Sequence, residues 1–176
     1  MPRYLIIDTS ILCVYLRVPL MTTCGRADDI WTFERVSAVI EQAKESNTSL
    51  VLPLATLIET GNHISQIKGH DILPYAQALA GLIQDSVNSV NPWDAFSVQS
   101  ELWSTEELQR YAEEWPQMAV DKISLGDASI VRVAEYLNQI GNVGIFTGDG
   151  GLRALAPPPQ SPRQRRRDRR RRDRTE

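Results

Sequence analysis

The sequence predicts an α/β protein, a three-layer α/β/α sandwich around a mainly parallel central sheet. Two observations carry this. Short apolar runs of β type, YLII (4–7), SLVLP (49–53) and VGIFT (143–147), are bounded by turn or polar residues, as strands buried on both faces are. Between and after them lie amphipathic stretches with helical periodicity, near 30–46, 54–67, 72–89, 104–115 and 125–140. Strands separated by helices require parallel pairing through crossovers, which covers both faces of the sheet.

The first strand runs directly into Asp8, Thr9 and Ser10, so an acidic side chain stands where the apolar run YLIIDTSIL would otherwise continue. A buried carboxylate is costly without a partner, and the identity of that partner is the first question the sequence raises. The helix after the second strand, PLATLIETGNHI, places Glu59 on a stripe with Ala55, Asn62, His63 and Gln66, and a core face on Leu54, Leu57, Ile58, Gly61 and Ile64. Helix 72–89 has enough apolar surface to serve either core packing or a dimer contact. The stretch 91–121 carries Trp93, Phe96, Trp103, Tyr111 and Trp115, which suit packing of an extra helix better than stacking on bases. In SLGDASIVRVAEYL, Asp127 opens the last long helix in line with Ile130, Val131 and Ala134. Asp149, in IFTGDGGL, follows the last strand by two residues.

Composition sets the outer bounds. The 176 residues are 42% hydrophobic, enough for one domain with a core, assigned to 1–156. Residues 157–176 form a Pro-led, Arg-rich tail that is expected to be disordered. The tail holds nine of the 19 basic residues and three of the 22 acidic ones, so it carries +6 and the remainder −9. Arg165, Arg166, Arg167, Arg169, Arg170, Arg171 and Arg172 read either as an electrostatic arm for RNA phosphates or as a solvated extension. In the body, Lys44, Lys68, Arg110, Lys122 and Arg132 form no stripe in sequence. Cys13, Cys24, His63 and His70 match no zinc spacing. No apolar stretch approaches a membrane span of about 20 residues, and no signal-peptide layout is present, which gives a cytoplasmic protein without a membrane partner as the expectation.

Each acid has a local explanation. Asp8 can cap a helix starting at Thr9 or Ser10, Asp127 completes a capping box with Ser124, Glu59 suits a solvated helix stripe, and Asp149 suits a turn between glycines. Taken together they point elsewhere. In parallel α/β sheets ligands gather outside the carboxyl ends of strands, and all four acids fall at that edge.

The order Asp8-Thr9-Ser10, then Glu59, then Asp127-Ala128 with Ile130, then Thr147-x-Asp149, resembles the PIN-domain ribonucleases, which include the VapC-like toxins of bacterial toxin–antitoxin pairs. The resemblance spans roughly residues 3 to 155. It implies a PIN-like fold and an RNA-hydrolysing pocket in which Asp8, Glu59, Asp127 and Asp149 bind Mg²⁺ or Mn²⁺ and act as the catalytic acids. Ser10 and Thr147 match its supporting hydroxyl positions. An antitoxin partner and a homodimer are what the family suggests. Hard carboxylate oxygens of this kind suit Mg²⁺ or Mn²⁺, which would also offset their mutual repulsion and stand as the missing partner of Asp8. The family's further strand after Thr-x-Asp is expected to be very short, missing or replaced by the arginine tail, since LRAL runs into APPPQ. A haloacid-dehalogenase-like phosphatase shares the Asp after the first strand and a late GDG, but it needs an acid two residues after the nucleophile, and position 10 is Ser. A non-catalytic RNA-binding module on the same fold is the remaining alternative.

Overall fold

The strand Arg3–Ile7 (β1) is the centre of the sheet, and its side chains alternate between two separate cores. The computed structural model describes residues 3–94 and 96–158. The Arg-rich tail from 159 onward, with its proposed RNA contacts and its expected disorder, lies outside the described residues. From β1 the chain enters helix α1 (Thr9–Tyr15), the hairpin β2 (Thr23–Arg26) and β3 (Asp29–Thr32), helix α2 (Phe33–Glu45) and strand β4 (Thr48–Val51). Helices α3 (Leu54–Ser65) and α4 (Leu73–Val87), a 3-10 helix (Phe96–Trp103), α5 (Thr105–Val120) and α6 (Leu125–Asn138) follow, then strand β5 (Asn142–Phe146) and helix α7 (Gly150–Ala154).

The three long-range strands pair in parallel in the order β4-β1-β5, with Leu5 opposite both Leu50 and Gly144. Ile6, Val51 and Ile145 face α6, while Ile7, Leu50 and Phe146 join the core that includes Ile11, Leu12, Val36, Ile40, Leu57 and Leu79. Helices thus cover both faces, an arrangement compatible with three layers. Burial of Ile6 and Ile7, both nearly inaccessible, stabilises the fold by roughly 1.5–3 kcal/mol per side chain. Among the described residues no strand follows β5. The sheet is extended on its other edge, where Leu50 N donates to Pro92 O and Asp94 N donates to Leu50 O.

Four expectations need correction. The helix expected from residue 30 starts at Phe33, because Asp29–Thr32 pairs antiparallel with Thr23–Arg26 and Thr32 accepts from Arg35 N as the cap. The helix expected to end at 115 runs through Pro116 to Val120, at the cost of one backbone donor. On α3 the buried face is Thr56, Leu57, Thr60 and Ile64, with Leu54 and Ile58 exposed. Thr56 Oγ1 donates to Ile7 O at 2.9 Å, so a hydroxyl that satisfies a strand carbonyl displaces the apolar side chains from the sheet side. Helices α1 and α7 and the hairpin are additional elements beyond those the periodicity indicates.

The aromatic segment packs in part. Trp93 is buried in the core, while Trp103 is exposed. Helix α5 is tied to α6 by Arg132, whose guanidinium meets Glu107 at 2.7 Å and Glu114 at 2.9 Å over the Tyr111 ring, and Tyr111 donates to Leu125 O.

Cys13 is fully enclosed in the larger core, and burial, reinforced by the nearby Asp8 and Glu59 carboxylates, pushes its thiol up to about 11. A raised folded value means that stability is complete below the ordinary thiol range and is lost as pH rises through the folded value. The urea midpoint is therefore expected to fall between about pH 9 and about pH 11, and Cys13→Ala to flatten that fall. An equal decline in the variant contradicts this.

Candidate active site

Asp8 is held at the end of β1 by the sheet itself, since its backbone N donates to Phe146 O at 3.0 Å and extends the pairing of β1 with β5. Its carboxylate is 6% exposed and caps α1. Oδ1 accepts from Thr9 N at 2.6 Å, and Oδ2 accepts from Ser10 Oγ at 2.7 Å and from Thr147 Oγ1 at 2.7 Å. These three donors, with the positive end of α1, supply the partner that the sequence left open. Burial of Asp8 thus needs no cation. An ionised carboxylate offers about four lone-pair sites, so about one remains for a ligand.

The two hydroxyls are themselves fixed. Ser10 Oγ accepts from Gly148 N at 3.1 Å, and Thr147 Oγ1 accepts from Asp149 N at 2.9 Å. Thr147 is completely buried, and its hydroxyl links the Asp8 carboxylate to the loop that carries Asp149. Thr147→Val keeps the shape and removes both bonds, so a loss of about 1–3 kcal/mol is expected in thermal or urea unfolding. An unchanged midpoint would show that the hydroxyl is dispensable.

Glu59 comes to the same edge from α3. Thr9 Oγ1 donates to Glu59 Oε2 at 2.8 Å, joining the first turn of α1 to α3. The other oxygen lies over the start of α6, where a Cβ built on Gly126 would stand 2.1 Å from Glu59 Oε1. Only glycine leaves room for the carboxylate there. Asp127, the next residue, is half-buried and keeps to its cap: Ser124 Oγ donates to its Oδ2 at 2.8 Å while its backbone N donates back to Ser124 Oγ at 3.0 Å. Asp149 is exposed, and its Oδ1 accepts from Gly151 N at 2.6 Å as the cap of α7.

The hairpin closes one side. A Cβ on Gly148 would lie 2.7 Å from Cys24 Sγ and 2.8 Å from Gly25 N, so β2 runs against the loop between β5 and α7. Arg153 fastens that corner, its Nη2 donating to Thr147 O at 2.8 Å and its Nη1 standing 3.4 Å from Asp29 Oδ2. The Arg35 guanidinium, and then Arg153, hold the Asp29 carboxyl below the usual carboxylate range.

Gly126 and Arg153 are site residues that sequence reasoning overlooks, and Thr9, though part of the Asp8-Thr9-Ser10 motif, is given no role by it. Thr9 and Gly126 are adjacent in sequence to Asp8 and Asp127, and that adjacency is the only signal for them. Nothing local marks Arg153. Thr9 links Asp8 to Glu59 and Thr147 links Asp8 to the Asp149 backbone, while Asp127 follows the glycine beside Glu59; the four carboxylates do not all meet. Among the described residues no three Asp, Glu, His or Cys side chains form a group placed to hold a metal ion. In donor chemistry the residues fit a hard divalent cation. Asp8 keeps a lone pair and Glu59 Oε1 sits in a cradle that a Cβ on Gly126 would fill, whereas the Asp127 and Asp149 carboxylates are engaged in local caps. The chain matches no family model, no curated protein and no solved structure.

Proposed function

We propose that the chain is a PIN-like, Mg²⁺- or Mn²⁺-dependent endoribonuclease, the toxin of a toxin–antitoxin pair, with its reaction centre at the carboxyl ends of β1 and β5. The observation that carries the reading is the continuous hydrogen-bonded chain that joins Asp8 through Thr147 to Asp149, flanked by the Thr9–Glu59 bond. The strand order adds support. From β1 the chain crosses to β4 on one side and later returns to β5 on the other, so the gap between β1 and β5 is a topological switch point, where α/β sheets bind ligands.

A divalent cation, when bound, supplies Lewis-acid polarisation of the phosphodiester and lowers the pKa of a water. The chain's own groups do the rest. Asp8 and Glu59 present fixed negative charge from the floor of the site, Ser10 and Thr147 keep Asp8 in one rotamer, and Asp149 adds an exposed carboxylate at the rim. Asp127, engaged with Ser124, acts through water. In-line attack by water forms one P–O bond as the P–O3′ bond breaks, leaving 5′-phosphate and 3′-hydroxyl ends.

A second reading has its own observation. Because the Asp127 and Asp149 carboxylates serve as caps, a non-catalytic RNA-binding module is also consistent with the geometry. Incubation with total RNA, with Mn²⁺ or with EDTA, followed by mapping of the ends, separates the readings. The nuclease cuts only with the metal and leaves 5′-phosphates. Binding without cleavage supports the module, and release of phosphate from small esters instead of cleavage supports the phosphatase.

A further inference from the structure

The acidic body leaves open how a polyanion approaches this edge, and the hairpin offers a route. Residues Cys24, Gly25 and Arg26 of β2 run beside Gly148, Asp149 and Gly150. Cys24 and Gly25 approach the Cβ position of Gly148, and Arg26 Cδ and Nη1 each lie 4.0 Å from that of Gly150. Gly25 makes this approach possible with φ of +99° and no side chain, since a Cβ there would strike Asp29 O at 2.3 Å.

Arg26 is exposed, and its side chain makes no ion pair or hydrogen bond among the described residues. The acid opposite it in the hairpin register, Asp29, is already shared by Arg35 at 3.0 Å and Arg153 at 3.4 Å. The other charged groups close to Arg26 in sequence or register are Asp28, exposed at the turn, and Asp29 with its two guanidiniums, while Asp149 precedes the Gly150 that Arg26 approaches. Arg26 is left as a solvated cation beside the loop that carries Asp149. A guanidinium so placed suits bidentate contact with a phosphate.

We propose that Arg26 contacts an RNA backbone phosphate next to the one held at the acids, with the β2–β3 hairpin as the wall along which the strand lies. This rests on the nuclease reading for its substrate, but its test does not depend on cleavage. Arg153 has a different part, as a positioning residue that holds Thr147 and hence Asp8.

The experiment is fluorescence anisotropy of the full chain with a labelled single-stranded RNA in EDTA, over a range of salt concentrations. Arg26→Ala is expected to weaken binding roughly threefold to tenfold and to flatten the slope of log K against log salt by about 0.7, one single-strand phosphate contact. Arg26→Lys should retain the slope. Because the side chain is exposed, both variants are expected to melt with the wild type. Affinity and slope unchanged in Arg26→Ala overturn the proposal, even if the wild type cleaves RNA with Mn²⁺. Weaker binding by the variant, with no cleavage by the wild type, keeps the phosphate contact and removes the nuclease. Absence of RNA binding by the wild type in EDTA overturns the Arg26 contact and leaves the nuclease reading to the cleavage assay with Mn²⁺.

Discussion

Asp8→Asn is expected to leave a folded protein whose metal-dependent RNA cleavage is at least about a hundredfold lower. Asparagine is nearly the same shape and is itself a good cap, so its oxygen can accept from Thr9 N as Oδ1 does now. Its amide then faces Ser10 and Thr147, whose hydroxyls rotate to accept from it, since each uses one of two lone pairs on Gly148 N or Asp149 N. The fold survives at a cost of about 1 kcal/mol, while the charge is gone. Asp8→Ala differs in kind. It strands the Thr9 amide and two hydroxyls without their acceptor, and about 2–3 kcal/mol of stability should be lost with the activity. Cleavage by Asp8→Asn at the wild-type rate would remove Asp8 from the chemistry and leave it a helix cap.

Gly126→Ala gives the second large effect, and here stability and activity are expected to move in opposite directions. Alanine is favoured over glycine inside a helix by about 0.8–1.0 kcal/mol, and Gly126 lies in the first turn of α6. The new methyl would meet nothing rigid, because the atom in its way is the flexible end of Glu59, 2.1 Å distant. The side chain yields and leaves Thr9. A melting temperature equal to or above that of the wild type, with cleavage reduced about tenfold or more, is the expected pair of results. Gly126→Ala with full activity would show that the position of the Glu59 carboxylate is immaterial.

How much of this was legible in the sequence depended on whether the cause was local. The strands β1, β4 and β5 announce themselves because both faces are buried, which forces uninterrupted apolar runs. The hairpin is opaque for the opposite reason: Thr23–Arg26 contains no large apolar residue, and its course depends on a glycine with positive φ packed against another glycine 123 residues away. On α3 hydropathy misassigns Leu54 and Ile58 to the core, since it takes no account of a hydroxyl that can satisfy the Ile7 carbonyl. The acids are legible in position, because Asp8 and Asp149 follow strands, Asp127 opens a helix and Glu59 lies in the second turn of the helix after β4. Their directions are not. Asp127 and Asp149 have donors within three residues, Ser124 Oγ and Gly151 N, and sequence spacing does not reveal whether a local cap or a shared ion claims the side chain. Arg153 could not be found at all, because its partner Thr147 matters only through Asp8, 139 residues away from that threonine.

Direct Mn²⁺ binding, followed by titration calorimetry or by the loss of the free-ion electron paramagnetic resonance signal, bears on the central claim without RNA or turnover. The account predicts saturable binding by the wild type that is lost in Asp8→Asn and weakened in Glu59→Gln, with both variants folded. No saturable binding by the wild type, or equal binding by Asp8→Asn, would contradict it.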